Sequence, residues 1–158
     1  MLAATEDAYV RKQTPQKNYG ADPQLWADGG DKELGDVAHC VPYFRFRLEV
    51  PGRPIAARLR LRVGTWPAAE SGDSGVIRLV EGEWEESKLT YENRPALGAV
   101  LATIGKVKAG EVVERKLDVS LEGRDQLSLA IDPTGLDGAG YGSRESATPA
   151  ELIVEFGP

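Results

Sequence analysis

The chain has 158 residues, of which 41% are hydrophobic and 28% charged, with a formal net charge of −6. That length suits one domain around one core, burying roughly 70% of the surface an unfolded chain exposes, and the composition excludes intrinsic disorder. The acidic balance disfavours a generic nucleic-acid or anionic-membrane partner, no run approaches the roughly 20 apolar residues of a spanning helix, and a lone Cys40 permits neither an intramolecular disulfide nor a Cys-rich zinc site.

The first four residues are too short for a signal peptide, so the chain is expected to be either cytosolic or a piece of a longer secreted protein with Met1 added. Ala8 to Arg11 and Leu25 to Ala27 read as short strands, the second with Leu25 and Ala27 inward and Trp26 outward. Alternation is strictest from Tyr43 to Val50: Phe44, Phe46, Leu48 and Val50 share one face, Tyr43, Arg45, Arg47 and Glu49 the other. Pro51-Gly52-Arg53-Pro54 breaks that strand, and Leu59, Leu61 and Val63 then alternate with Arg58, Arg60 and Arg62. Further strands are expected at Val76 to Val80, Val100 to Ile104, Val112 to Val119, Gln126 to Ile131 and Leu152 to Phe156, with one helical turn over Glu85 to Asn93 before Pro95. Turn chemistry separates them, including Gly138-Ala139-Gly140-Tyr141-Gly142. About nine short strands and no linker or repeat predict one all-β domain over residues 1–158, a two-sheet antiparallel β-sandwich with a jelly roll as the favoured topology; periodicity alone also allows an immunoglobulin-like sandwich.

Catalytic motifs are missing. His39 and Cys40 are neighbours whose side chains diverge in an extended chain, and no HExxH, GxSxG or Walker A pattern occurs. Glu81, Glu83, Glu85 and Glu86 crowd in sequence, but a glycosidase needs two carboxyls facing each other across a cleft, so the chain reads as no enzyme. Charge is uneven: Tyr43 to Arg62 holds six Arg against one Glu, and Glu70 to Glu86 holds six acids against Arg78. If the two Arg-bearing strands share a sheet, Arg45, Arg47, Arg58, Arg60 and Arg62 form a basic field suited to uronate carboxylates or sulfates; the alternative is that they pair with acids across the sheet. Trp26 has two readings, a ring for stacking on sugar C–H faces or a packing residue; Trp66 in the Gly64 to Pro67 turn has a similar claim, while Trp84 and Tyr91 read as core.

Several segments, in order, resemble one known family. They are Asp7-Ala8-Tyr9-Val10-Arg11, Asn18-Tyr19-Gly20, Tyr43-Phe44-Arg45-Phe46-Arg47-Leu48 followed by the Ile55 to Val63 strand, then Trp84 to Gly98 (Trp84, Leu89-Thr90-Tyr91, Asn93 and Pro95 in a W-x-E-x-x-L-T-W-x-N-x-P pattern), and Ser143-Arg144-Glu145 before the Leu152 to Val154 strand. The chain is similar over nearly its whole length to the DNRLRE-domain group, carbohydrate-binding module family 96, departing from the pattern at Trp66 and in a long acidic Asp28 to Cys40 loop.

The resemblance implies a jelly roll from a secreted or surface bacterial protein, beside other domains of that parent, at the cell surface or outside the cell, with an acidic polysaccharide (uronate or sulfated glycan) as partner. It makes Arg11, Lys12 and Lys17 one wall of a binding site, with Tyr141 and Arg144 completing it; with Trp26, Arg45 and Arg47 from the residue reading, these are the candidate ligand-binding residues. Arg144 has an equally open reading as a structural ion pair. No nucleic acid, membrane insertion or cofactor is expected; for a structural calcium, held by many jelly-roll modules, Asp7, Asp28 and Asp31 are the available oxygen ligands, without EF-hand spacing. The alternative to glycan binding is a structural or adhesive spacer domain, and a lyase or hydrolase is the third class.

Overall fold

A computed structural model of the chain describes residues 1–30, 38–49 and 51–158. Its described residues form eleven strands: β1 (Leu2–Ala3), β2 (Glu6–Arg11), β3 (Gln24–Ala27), β4 (Cys40–Arg47), β5 (Pro54–Arg62), β6 (Val76–Leu79), β7 (Val100–Thr103), β8 (Val112–Lys116), β9 (Gln126–Asp132), β10 (Ala139–Gly142) and β11 (Glu151–Phe156). All pairings are antiparallel, in a five-stranded sheet ordered β2-β4-β9-β6-β7, a four-stranded sheet ordered β1-β11-β5-β8, and a β10-β3 ribbon. The ribbon continues the four-stranded layer through a Val63–Tyr141 bridge. From β4 to β5, and again from β7 through β8 to β9 and β10, the chain crosses between layers, and only the β6-β7 pair is sequential. This wrapping is the jelly-roll order expected of a sandwich whose neighbours in each sheet come from distant sequence.

The inward faces meet in one core: Phe44, Phe46, Leu127, Leu129 and Ile131 from the five-stranded sheet against Leu59, Leu61, Val63 and Leu152 from the four-stranded layer, with Leu48 at its margin and Val154 partly buried against it. Val50, expected on the same face, lies outside the described residues. At roughly 1.5 to 3 kcal/mol per large apolar side chain, this layer dominates stability.

Three expectations change. First, the second face of β4 does not meet water: every residue from Cys40 to Phe46 is buried. A second cluster covers that side, with Ala8, Val10, Val41, Tyr43 and Ala130 of the sheet packed beneath Val80, Trp84 and Leu89. Second, the helical turn expected over 85–93 is confined to 85–89, where Leu89 N donates to Glu85 O at 2.8 Å, and the rest is a further turn with reciprocal bonds between Thr90 and Asn93. Its Trp84 and Leu89 face the sheet, and Asn18 fastens it by donating to Glu86 O and Leu89 O at 2.7 and 2.9 Å. Third, the glycine-rich 139–142 stretch is strand β10, paired with β3, with Gly140 leaving room for the Trp66 and Trp26 rings and Gly142 for Thr148.

Candidate functional site

β2 ends at Arg11, and a tight turn follows in which Thr14 N donates to Arg11 O and Lys17 N to Thr14 O. Glu92 N donates to Pro15 O at 2.9 Å, so the turn lies against the 88–95 segment covering the five-stranded sheet. This contact sets the 12–17 turn beside the covering segment, with Tyr9 and Tyr19 packed toward the inner core and Tyr91 toward the outer cluster. Tyr19 stacks on Tyr9 with centroids 4.4 Å apart, its hydroxyl pairs with Thr14 Oγ1 at 2.6 Å, and Lys17 Nζ stands 4.9 Å from its ring centre. The Arg94 guanidinium lies 3.6 Å from the centre of the Tyr91 ring, whose hydroxyl pairs with His39 Nδ1 at 3.1 Å. Lys12 is anchored through its backbone N–H to His39 O.

The charges here differ from those of the arginines on β5 and β6. Arg11 donates to the neutral Gln13 side chain at 2.6 Å, Lys17 lies over Tyr19, and Arg94 lies over Tyr91 while donating to its carbonyl. None of the three forms a salt bridge among the described residues. By contrast Arg60 pairs with Glu114 at 2.5 Å, Arg78 with Asp132 at 2.6 Å, and Arg58 and Arg62 sit within 4.0 Å of Glu155 and Glu151. Tyr91 and Arg94 were not among the expected site residues; the signal is their i, i+3 spacing beside Pro95, which only acquires meaning once the segment folds across the sheet.

The other expected residues scatter. The single basic field does not form, because β4 and β5 belong to different sheets: the chain crosses layers at Pro51-Gly52-Arg53, sending the arginines of β5 to the opposite outer face. Arg45 is buried, ion-paired with Glu6, donating to Trp84 O at 2.6 Å and stacked 4.5 Å from the Trp84 ring centre. Arg47 is exposed, 3.4 Å from Glu49, and sits seven residues beyond the Cys40 that faces Arg11, roughly 23 Å along the strand. Arg144 pairs with Glu86 at 2.8 Å and with Glu145 at 3.4 Å, joining the closing turn to the covering segment. Tyr141 is wholly buried, its ring in the core. Trp26 points outward from β3 as expected and meets Trp66 edge-on, centroids 5.5 Å apart.

Asp7 is almost wholly buried. Burial pushes its carboxyl up to about 7, the Arg144 N–H that reaches its Oδ2 at 2.9 Å pulls it down, and the Glu86 carboxylate pushes it up again. Asp28 Oδ1 accepts from Gly30 N, and Asp31 lies outside the described residues. Among the described residues no three His, Cys, Asp or Glu side chains gather as a metal site. Burial also drives the Cys40 thiol up to about 11, away from a thiolate nucleophile, and His39 is engaged with Tyr91 rather than with Cys40.

The model of carbohydrate-binding module family 96 matches residues 1–156, essentially the entire chain, and the chain belongs to that family. Its members are modules that bind carbohydrate rather than transform it. No curated protein matches the chain.

Proposed function

We propose that this member of carbohydrate-binding module family 96 binds an acidic polysaccharide, a uronate or sulfated glycan, along the edge formed by Arg11, Lys12, Lys17, Tyr19, Tyr91 and Arg94. The observation that carries the reading is the set of cations Arg11, Lys17 and Arg94, held over rings or a neutral amide and not spent on carboxylates. On a chain of net charge −6, most arginines elsewhere neutralise neighbouring acids, so cations left outside ion pairs and grouped on one edge are placed for an external anion. Guanidinium forks recognise carboxylates and sulfates in bidentate geometry, and the Tyr91 ring under Arg94 holds its guanidinium in place for such a contact. An open edge without a deep cleft fits retention of a polymer, and the chain is read as a non-catalytic domain of a larger secreted or surface protein.

Affinity is expected to be weak, with Kd between about millimolar and about micromolar, or roughly −4 to −8 kcal/mol. Exposed charges are screened over about 8 Å at physiological ionic strength, so binding of an oligouronate should fall as salt rises. Calorimetry with an oligouronate should show that loss, and Lys12→Ala/Lys17→Ala should weaken binding without unfolding the domain. Product analysis after long incubation should find the polymer uncut. No heat of binding for any acidic glycan at about millimolar concentration would transfer the reading to a spacer or adhesive domain.

A further inference from the structure

We infer that the outer face of the β3–β10 ribbon holds a second carbohydrate site, a hollow of about 250 Å³ beside Trp66 that takes one charge-neutral pyranose ring. The sequence builds it through glycine. Gly64 and Gly140 are joined by a backbone hydrogen bond of 3.0 Å, and a Cβ at either position would lie inside the volume of the Trp66 indole. The ring therefore lies down on bare backbone. Trp66 itself is extended, and Pro67 starts the 3₁₀ turn over Pro67–Ala69 immediately after it, which fixes the direction from which the side chain returns over the sheet. Trp26 closes one edge, its ring plane at 64° to that of Trp66. The Trp66 Nε1–H has no hydrogen-bond partner, so packing alone holds this ring.

What remains exposed of Trp66 lines the hollow, with Val112 as a second apolar wall and the hydroxyl-bearing Thr65, Ser146 and Thr148 around it. Ser146 Oγ donates to Ser143 O at 2.7 Å, which fixes that hydroxyl's position. Arg62 stands at the rim, but Glu151 is 3.8 Å away, so the rim carries both signs and a carboxylated sugar gains little there. An aromatic face with hydroxyl partners and balanced charge matches a neutral pyranose, whose C–H groups stack on the indole while its hydroxyls reach Oγ atoms. The hollow is smaller than the roughly 300 to 1,000 Å³ of clefts that enclose drug-sized ligands, which limits it to a single ring of a longer chain. The inference rests on the carbohydrate-binding reading for its ligand class, while its place, on the opposite layer from the Tyr91–Arg94 cover, and its charge are independent of it.

The test uses neutral hexasaccharides of gluco, manno and galacto configuration beside an oligouronate, read by calorimetry and by the Trp66 indole N–H resonance, identified with Trp66→Phe. At least one neutral probe should shift that resonance, with Kd changed less than about twofold when salt rises from about 50 to about 500 mM or when Lys12 and Lys17 become Ala. Trp66→Ala should weaken it about tenfold or more. Because Trp66→Ala also removes packing, Thr65→Arg, at an exposed position that would fill the hollow, should give the same loss at unchanged melting temperature. Neutral probes that leave the Trp66 resonance unmoved at about millimolar concentration, or wild-type affinity in both variants, would overturn the second site. Oligouronate binding that persists in that case leaves the proposed function standing; loss of both binding modes defeats both.

Discussion

Asp7 makes the fold pH-dependent in an unusual direction. Its side chain is 1% exposed on β2, one oxygen takes the Arg144 N–H, and the other has no partner. Burial first, and the nearby Glu86 carboxylate in addition, raise its folded-state value from 3.8 to about 7. An unfolded chain loses that proton near pH 4, so between about pH 4 and about pH 7 the folded state binds more protons, and stability falls as pH rises through this window. At about 1.4 kcal/mol per pH decade, the interval is an upper figure of roughly 4 kcal/mol. Asp7→Asn keeps an acceptor for Arg144 and cannot ionise, so its stability should lack this slope. Urea denaturation from about pH 4 to about pH 8 should show wild type weakening relative to the variant by about 1 to 4 kcal/mol. Subtracting the two curves cancels the other carboxylates. Parallel curves, or an Asp7 carboxyl carbon titrating near an ordinary aspartate in NMR, would refute the reasoning.

Two further outcomes follow from the packing. Phe46→Ala and Leu61→Ala, on facing layers of one core and both almost wholly buried, should each cost about 2 to 5 kcal/mol in chemical denaturation; losses under about 0.5 kcal/mol would contradict the sandwich core. Arg45→Met should cost about 2 to 4 kcal/mol, since it strips Glu6 of its partner, Trp84 O of a donor and the Trp84 ring of its cation, and a Glu6→Gln/Arg45→Met cycle should show about 1 to 3 kcal/mol of coupling. Additive single effects would mean that Arg45 behaves as a surface residue.

How much of this is legible in the sequence depends on whether one face or two are involved. The inward alternation of Phe44, Phe46, Leu59, Leu61, Leu127 and Leu129 reads directly as the core, because a half-buried strand has period two. The opposite face of β4 misleads: Tyr43 and Arg45 alternate like solvent residues, yet they are covered by a segment that begins with Val80 and Trp84, far downstream, and alternation carries no record of such a cover. The expected basic field fails for a related reason, since a Pro-Gly break looks the same whether the chain turns within a sheet or crosses to the other. β10 reads as a turn because Gly-Tyr-Gly is turn composition, and the sequence carries no sign that Gly140 serves as the bare floor under Trp66 and Trp26. Arg11, Lys12 and Lys17 lie in and beside one turn, as their closeness in sequence suggests, and only the Glu92–Pro15 backbone contact brings the segment that carries Arg94 against that turn.

The segment most diagnostic of the family also determines where a ligand can sit. By placing Trp84 and Leu89 on the outer face of the five-stranded sheet, it removes that face from solvent and fixes Arg45 as an interior cation. On the other layer, Arg58, Arg60 and Arg62 are drawn to Glu155, Glu114 and Glu151, which cancels the charge of that face over most of its length. Under the proposed function, an anionic polymer would meet the region where the covering segment contacts the 12–17 turn and cations rest on tyrosine rings. On the inference drawn above, a neutral sugar would meet the end of the four-stranded layer, where glycines stand in place of ion pairs and the partly buried Trp66 indole lies over them. On these two proposals the charged site and the Trp66 site lie on different layers, so salt should weaken the first and spare the second.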